Sequence, residues 1–170
     1  DDANIDEAVK GLMLAKMRNG GAACTAANRV YVQRPIAAEF TKKFSAAMSA
    51  FVMGRGRDAG IQLGASVSIN ERNKIAELVD ESVASGGKVI VGGTLPDGPG
   101  AFYPATVIEV ASDNPILNHE VFGPVAPVVT FDTDEEAVTL ANNTEYGLIS
   151  YVYSEDLKRA LRLAEAIESG

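Results

Sequence analysis

Apolar positions along the chain alternate between helical spacing and short, continuous β-branched runs, and the switches between the two fix most of the expected elements. Ile5, Ala8, Val9, Leu12 and Ala15 return at the spacing of one helix face, with Asn4 and Glu7 placed like a capping pair and a stop near Arg18-Asn19-Gly20. Arg29 to Gln33 is short, β-branched and aromatic, which predicts a strand. Pro35 follows it and predicts a helix from about Ile36 to Phe51. From Val52 to Ser68 glycines recur and no period holds, so an extended surface excursion is expected. Ile75, Leu78, Val79 and Val83 form the next helical stripe, from about Asn70 to the stop at Gly86-Gly87, before a strand from Lys88 to Val91.

The turn-rich segment Leu95 to Gly100 leads into a strand expected from about Phe102 to Val110, and the tight connection favours antiparallel neighbours. Val125 to Phe131 reads as a further strand. Thr133 and Glu136 form a capping box for a helix to about Asn142, and Leu148 to Tyr153 reads as a strand. Ser154 then caps a last helix with the stripe Leu157, Ala160, Leu161, Ala164 and Ile167. The order α-β-α, long loop, α-β-β-β, α-β-α predicts a three-layer α/β domain with a mixed, mostly parallel sheet.

Composition narrows the function more than the fold. With 170 residues, 46% hydrophobic and 22% charged, the chain has the size and mix of one soluble domain, and no linker or repeat divides it. No apolar run is long enough to span a membrane and no leader pattern opens the chain, so the expected compartment is the cytoplasm, with no membrane partner. A net charge of −8 opposes binding to a polyanion, and nucleic acid is not an expected partner. One cysteine and one histidine offer neither an internal disulfide nor a histidine and cysteine metal cluster, and no spaced carboxylate set replaces them; no metal is expected.

Cys24 stands in Asn19-Gly20-Gly21-Ala22-Ala23-Cys24-Thr25, on the connector between the first helix and the first strand. Small neighbours leave the backbone bare, so a substrate can approach and amide groups can face a developing oxyanion. The same local sequence also suits an inert thiol that behaves as a small hydrophobe. His119 cannot be paired with Cys24 by spacing and reads as a loop residue. Gly54-Arg55-Gly56-Arg57 does not lie between a strand and a helix and fails as a nucleotide fingerprint. Glu120 and Phe122 precede a Gly-Pro turn, either as ordinary turn residues or as a carboxylate and a ring presented to a ligand. Arg18 either complements the end of the first helix or receives an anion beside Cys24.

Three motifs taken together bear on these alternatives. Asn19-x-Gly21-x-x-Cys24 followed by Asn28-Arg29, then Glu120-Val121-Phe122-Gly123-Pro124-Val125, then Asn142-Asn143-Thr144-Glu145-Tyr146-Gly147-Leu148, resemble the aldehyde dehydrogenase superfamily in order and spacing over essentially the whole chain. The resemblance implies a catalytic-domain segment over 1–170, in which Cys24 attacks an aldehyde and passes through a thiohemiacetal and a thioester. It implies NAD or NADP as cofactor, with Glu120 on the nicotinamide ribose and Phe122 beside it. The Met17-Arg18-Asn19 approach and the Gly123 to Val128 run look most like the succinate-semialdehyde dehydrogenase group, where Arg18 would receive the distant carboxylate of the substrate. A small aldehyde is thus the expected partner, and the full-length protein is expected to be a homo-oligomer, dimer or tetramer.

Two positions depart from the family pattern. Ala22 replaces the usual Gln and Ala26 replaces a second cysteine found in some relatives. The family's general-base Glu, its oxyanion-hole Asn and its dinucleotide-binding domain are expected to lie before Asp1, so the isolated segment is expected to have no turnover. Ala22 also keeps open a non-catalytic binding or scaffold domain of the same fold.

Overall fold

The computed structural model describes residues 1–145 and 147–169. Helix α1 runs Ile5–Met17, and the Asn4 side chain accepts from the Glu7 amide at 3.2 Å, satisfying one of the free donors of the first turn. Strand β1 is Val30–Gln33 and passes directly into α2, Arg34–Ser49. The helix begins before Ile36 because Pro35 occupies its first turn, where a missing N–H costs no hydrogen bond. After the excursion, where Met53 and Leu63 form an isolated bridge, α3 spans Ile69–Ala84 with Ser68 as its cap.

Strand β2 is Lys88–Val91 and β3 is Thr106–Glu109. The latter starts later than the sequence suggests: Pro104 has no amide to give to a ladder, and regular pairing begins at Thr106, whose N–H donates to the Pro124 carbonyl at 2.8 Å. Strand β4 covers Val125–Phe131 and α4 covers Asp134–Asn142. The sheet order is β1-β4-β3-β2. The β1–β4 and β3–β4 pairs are parallel, and β2–β3 is antiparallel as its short connection predicts.

Alternation along the strands divides the interior in two. Val30, Val32, Val107, Ala126 and Val128 face α1 and α2, where Phe40, Phe44 and Met48 close the first core. Ile108, Val125 and Val129 face the other way, toward Ile75 and Val79 of α3 and toward Ile116 and Leu117. Period-two side chains with helices on both faces make the three layers.

The end of the chain differs from its pattern in two ways. Leu148 to Tyr153 is not a strand: it pairs with none of the four strands and lies across a cavity of about 570 Å³ from the outer edge of β1. A run of apolar and aromatic residues becomes a strand only where a neighbouring edge is within hydrogen-bonding distance. Helix α5, Leu157–Ala166, is capped by Asp156, which accepts from the Lys158 amide at 2.8 Å, and not by Ser154. The Ser154 hydroxyl is instead engaged with Asp2 at 2.6 Å. No described helix is long and apolar enough to cross a membrane.

Candidate active site

The segment between α1 and β1 folds as two consecutive turns. Asn19, Gly20 and Gly21 take φ values of 51°, 64° and 81°, a left-handed run that glycine adopts freely and asparagine tolerates. The Ala22 amide donates to the Asn19 carbonyl at 3.1 Å, and Asn19 Nδ2 donates back to the Ala22 carbonyl at 2.9 Å. Closure thus uses the backbone of residue 22 and not its side chain. In the second turn the Ala26 amide donates to the Ala23 carbonyl at 2.9 Å, leaving Cys24 and Thr25 at the tip. Ala27 returns to α1 by donating to the Ala15 carbonyl at 3.2 Å.

Cys24 is exposed, and its backbone amide donates to no oxygen among the described residues. A bare thiol beside a free N–H is the local arrangement that nucleophilic attack on a carbonyl needs, since the amide can hold the oxygen as it gains charge.

The loop of residues 119–124 is pinned by Val121, which is buried in the core under α3. Its neighbours Glu120 and Phe122 are exposed, Phe122 at 45%, so both point away from the core. Cys24, Glu120 and Phe122 line the same cavity of about 570 Å³, together with Asn28 and Tyr151. An exposed carboxylate and a half-exposed ring on one side of an extended segment are groups that can bind a sugar diol and a flat heterocycle.

Arg18 is exposed at the end of α1, six positions before Cys24, but does not line the cavity. His119 is exposed and is likewise absent from the lining; its backbone takes part in the local bonding, the amide donating to the Ile116 carbonyl at 3.4 Å and the carbonyl accepting from Asn28. Among the described residues no group of His, Cys, Asp and Glu is arranged to hold a metal ion.

Several residues that tie the site together carried no predicted role. Asn28 Nδ2 donates to the His119 carbonyl at 2.6 Å and its Oδ1 accepts from the Val121 amide at 2.7 Å. Arg29 donates to the Asn143 carbonyl at 3.3 Å, joining the first motif to the third. The Tyr151 hydroxyl donates to the Thr25 carbonyl at 2.9 Å, next to the nucleophile turn. Presence in a motif was the only signal for Asn28 and Arg29; Tyr151 gave none beyond its place in the run from Leu148 to Tyr153. Tyr31 also lines the cavity. Burial pushes its hydroxyl up from the ordinary value, and it donates to the Leu140 carbonyl at 3.0 Å. In the third motif Asn142 brackets the end of α5, donating to the Ala166 carbonyl at 3.0 Å and accepting from the Glu168 amide at 2.9 Å. Tyr146 of that motif lies outside the described residues.

Comparison with known proteins agrees with the three motifs. A model of the aldehyde dehydrogenase family matches residues 1–170. A succinate-semialdehyde dehydrogenase of Paenarthrobacter nicotinovorans is 52% identical over the whole chain, which covers 38% of that protein. A 3-sulfolactaldehyde dehydrogenase of Pseudomonas putida is 42% identical over the whole chain, covering 35% of it. The crystal structure of PnpE in complex with nicotinamide adenine dinucleotide superimposes over the full chain with a TM-score of 0.96 and 37% identity, the chain covering 36% of it. The chain thus spans little more than a third of the length of these relatives.

Proposed function

The chain belongs to the aldehyde dehydrogenase family, and from that premise we propose that it is the nucleophile-bearing part of an NAD(P)-dependent enzyme that oxidises succinate semialdehyde to succinate. One observation carries the reading: the exposed thiol of Cys24 opens onto the same cavity as Glu120 and Phe122.

In this mechanism the Cys24 thiolate attacks the aldehyde carbon to give a thiohemiacetal, and the free Cys24 amide faces the oxygen that gains charge. The nicotinamide cofactor, when bound, supplies the hydride acceptor. Loss of hydride from the carbon attached to Cys24 leaves a thioester on the sulfur, which water cleaves to release the acid and the thiol. Glu120 accepts from the ribose hydroxyls and Phe122 packs beside the ring, so both orient the cofactor and neither makes or breaks a bond. The base that activates water, the side-chain donor of the oxyanion hole and the dinucleotide-binding domain are contributed by the rest of a longer protein; the 170-residue chain alone has no turnover.

Arg18 selects the substrate in this reading. The two curated relatives are named for succinate semialdehyde and 3-sulfolactaldehyde, and each of those aldehydes carries an anionic group away from the reacting carbon. An exposed guanidinium that leads into the nucleophile loop suits a carboxylate or a sulfonate. In the full-length enzyme, Arg18→Ala should raise KM for succinate semialdehyde by roughly ten- to a hundredfold, the worth of a charged hydrogen-bond pair, with little change for an uncharged aldehyde of similar size. Equal effects on both substrates would remove the assignment. Labelling by a thiol reagent in the same protein should be blocked by aldehyde; labelling that aldehyde does not block would favour a non-catalytic scaffold, the reading that Ala22 at the usual Gln position keeps in play.

A further inference from the structure

We propose that Asn28 is a positioning residue, which fixes the direction of Glu120 by gripping the backbone on both sides of it and so ties the cofactor-contacting loop to the nucleophile loop. The proposal rests on the assignment of Glu120 to the cofactor.

Both ends of the Asn28 amide are used, the donor on the His119 carbonyl at 2.6 Å and the acceptor on the Val121 amide at 2.7 Å. These are the backbone groups that flank Glu120, and in an extended segment they point the same way. The side chain therefore stands in for a neighbouring strand. With both bonds made, the backbone at residue 120 has little freedom, and the Cα–Cβ bond of Glu120 leaves it in one direction. Partners 91 and 93 positions away make this a contact between loops, not a local turn.

A second contact pins the other side of Cys24. Gly21 lies against the backbone of Gly123, so closely that a Cβ at position 21 would overlap the Gly123 carbonyl. Gly21 stands three residues before Cys24 and Asn28 four after it, and both bind the 119–124 loop. The offset between the backbones at Cys24 and Glu120 is thus set within this chain.

Side-chain chemistry at position 28 is correspondingly narrow. Alanine makes neither bond. Aspartate keeps an acceptor for Val121 but sets a carboxylate against the His119 carbonyl.

The test is a double-mutant cycle in the full-length protein, with NADH and NADPH binding followed by fluorescence titration and Val121 amide exchange followed by mass spectrometry or NMR. Asn28→Ala should weaken binding about tenfold, the worth of roughly one to two neutral hydrogen bonds. Combined with Glu120→Ala it should be no worse than Glu120→Ala alone, because Asn28 acts through Glu120. Additive losses would overturn the proposal while leaving the cofactor assignment of Glu120 intact. Glu120→Ala with undiminished binding would defeat that assignment, and the proposal with it. Exchange at Val121 reads the grip itself: it should quicken in Asn28→Ala, and an unchanged rate overturns the proposal whatever Glu120 contacts. Should Asn28→Ala fail to fold, Asn28→Asp should keep Val121 protected yet still weaken the cofactor; binding equal to that of the parent protein overturns the two-sided grip.

Discussion

The sheet with α1 to α3 and the segment 147–169 use the same kind of residue pattern and end in opposite states. In the first region alternating and helical stripes are closed on both faces: Val107, Ile108, Val125, Phe44 and Met48 have essentially no exposed surface. In the second, α5 has a clear apolar stripe and no buried residue, and Leu157 is 71% exposed. Polar ties hold that region to the rest. Arg159 binds Asp134, Asp2 and Gln33, and Asn142 brackets the end of α5. A stripe states which side chains an element can bury; whether they are buried depends on the surfaces that surround it.

If that contrast is sound, the largest stability loss comes from the closed region. Phe44 stacks on Phe40 with ring centroids 5.8 Å apart and is fully buried between α2 and the sheet. Phe44→Ala should cost about 3–5 kcal/mol in urea unfolding of the chain, the loss of a buried ring plus the cavity it leaves. A cost below about 1 kcal/mol would show that the core under α2 is not close-packed.

Lys16 is the exception inside the closed region and offers a sharper test. It lies on the buried stripe of α1, its Nζ has no hydrogen-bond partner among the described residues, and burial pulls its pKa down to about 7 from 10.5. Between those two values the unfolded chain binds a proton that the folded chain does not, so stability should rise with pH from about 7 upward. Below about 7 the cost of charging the buried amine is fully present. The slope approaches about 1.4 kcal/mol per pH unit for one proton. It is best read between pH 7 and 9, because burial holds the Tyr103 hydroxyl up at about 12, and that group lowers stability only once pH passes its unfolded value of 10. Lys16→Met should flatten the rise and be more stable than the parent at pH 7. A slope that survives the substitution would mean that Lys16 keeps contact with water.

How far the sequence carried the reading follows the same division. Period, caps and stops located α1, α3, α4, β2 and β4 closely because their determinants are local: Asn4 and Thr133 each accept from the amide three residues on, and the stripe of α3 stops ahead of Gly86-Gly87. The antiparallel β2–β3 pair was legible from its short connection. Pairing of 148–153 was not, since a ladder depends on a partner that no local pattern contains. Nor was the late start of β3 behind Pro104. At the site, Cys24, Glu120 and Phe122 were legible as motif members, and the structure brings them to one cavity while leaving Arg18 outside its lining. What holds them there was not: Asn28 reaches across 91 positions and Tyr151 across 126. Contacts of that length leave no period in the sequence.

The smallest effect is the one that discriminates best between the two regions. In a closed core, removing an apolar side chain costs more than removing a surface charge; in α5 the order should invert. Leu161 is 55% exposed, and alanine is at least as good a helix former, so Leu161→Ala should change stability by less than about 0.5 kcal/mol. Arg159 leaves only 17% of its side chain exposed, and Asp134, which its guanidinium holds below the usual carboxylate range, is covered to the same extent. Arg159→Ala removes the bonds to Asp1, Asp2, Asp134 and Gln33 together and leaves the largely covered Asp134 carboxylate with Arg162 as its remaining cation, at a cost of about 1–3 kcal/mol. The Asp134 contribution also has a pH signature. Its folded pKa lies below the unfolded value of 3.8, so the stability it brings is complete above that value and is lost as pH falls toward the folded one. Urea unfolding of both variants at pH 7 and pH 3.5 would therefore show Arg159→Ala approaching the parent in acid, with Leu161→Ala close to it throughout. A Leu161→Ala loss larger than that of Arg159→Ala would mean that α5 is packed by its apolar stripe after all, and the contrast between the two regions would fail.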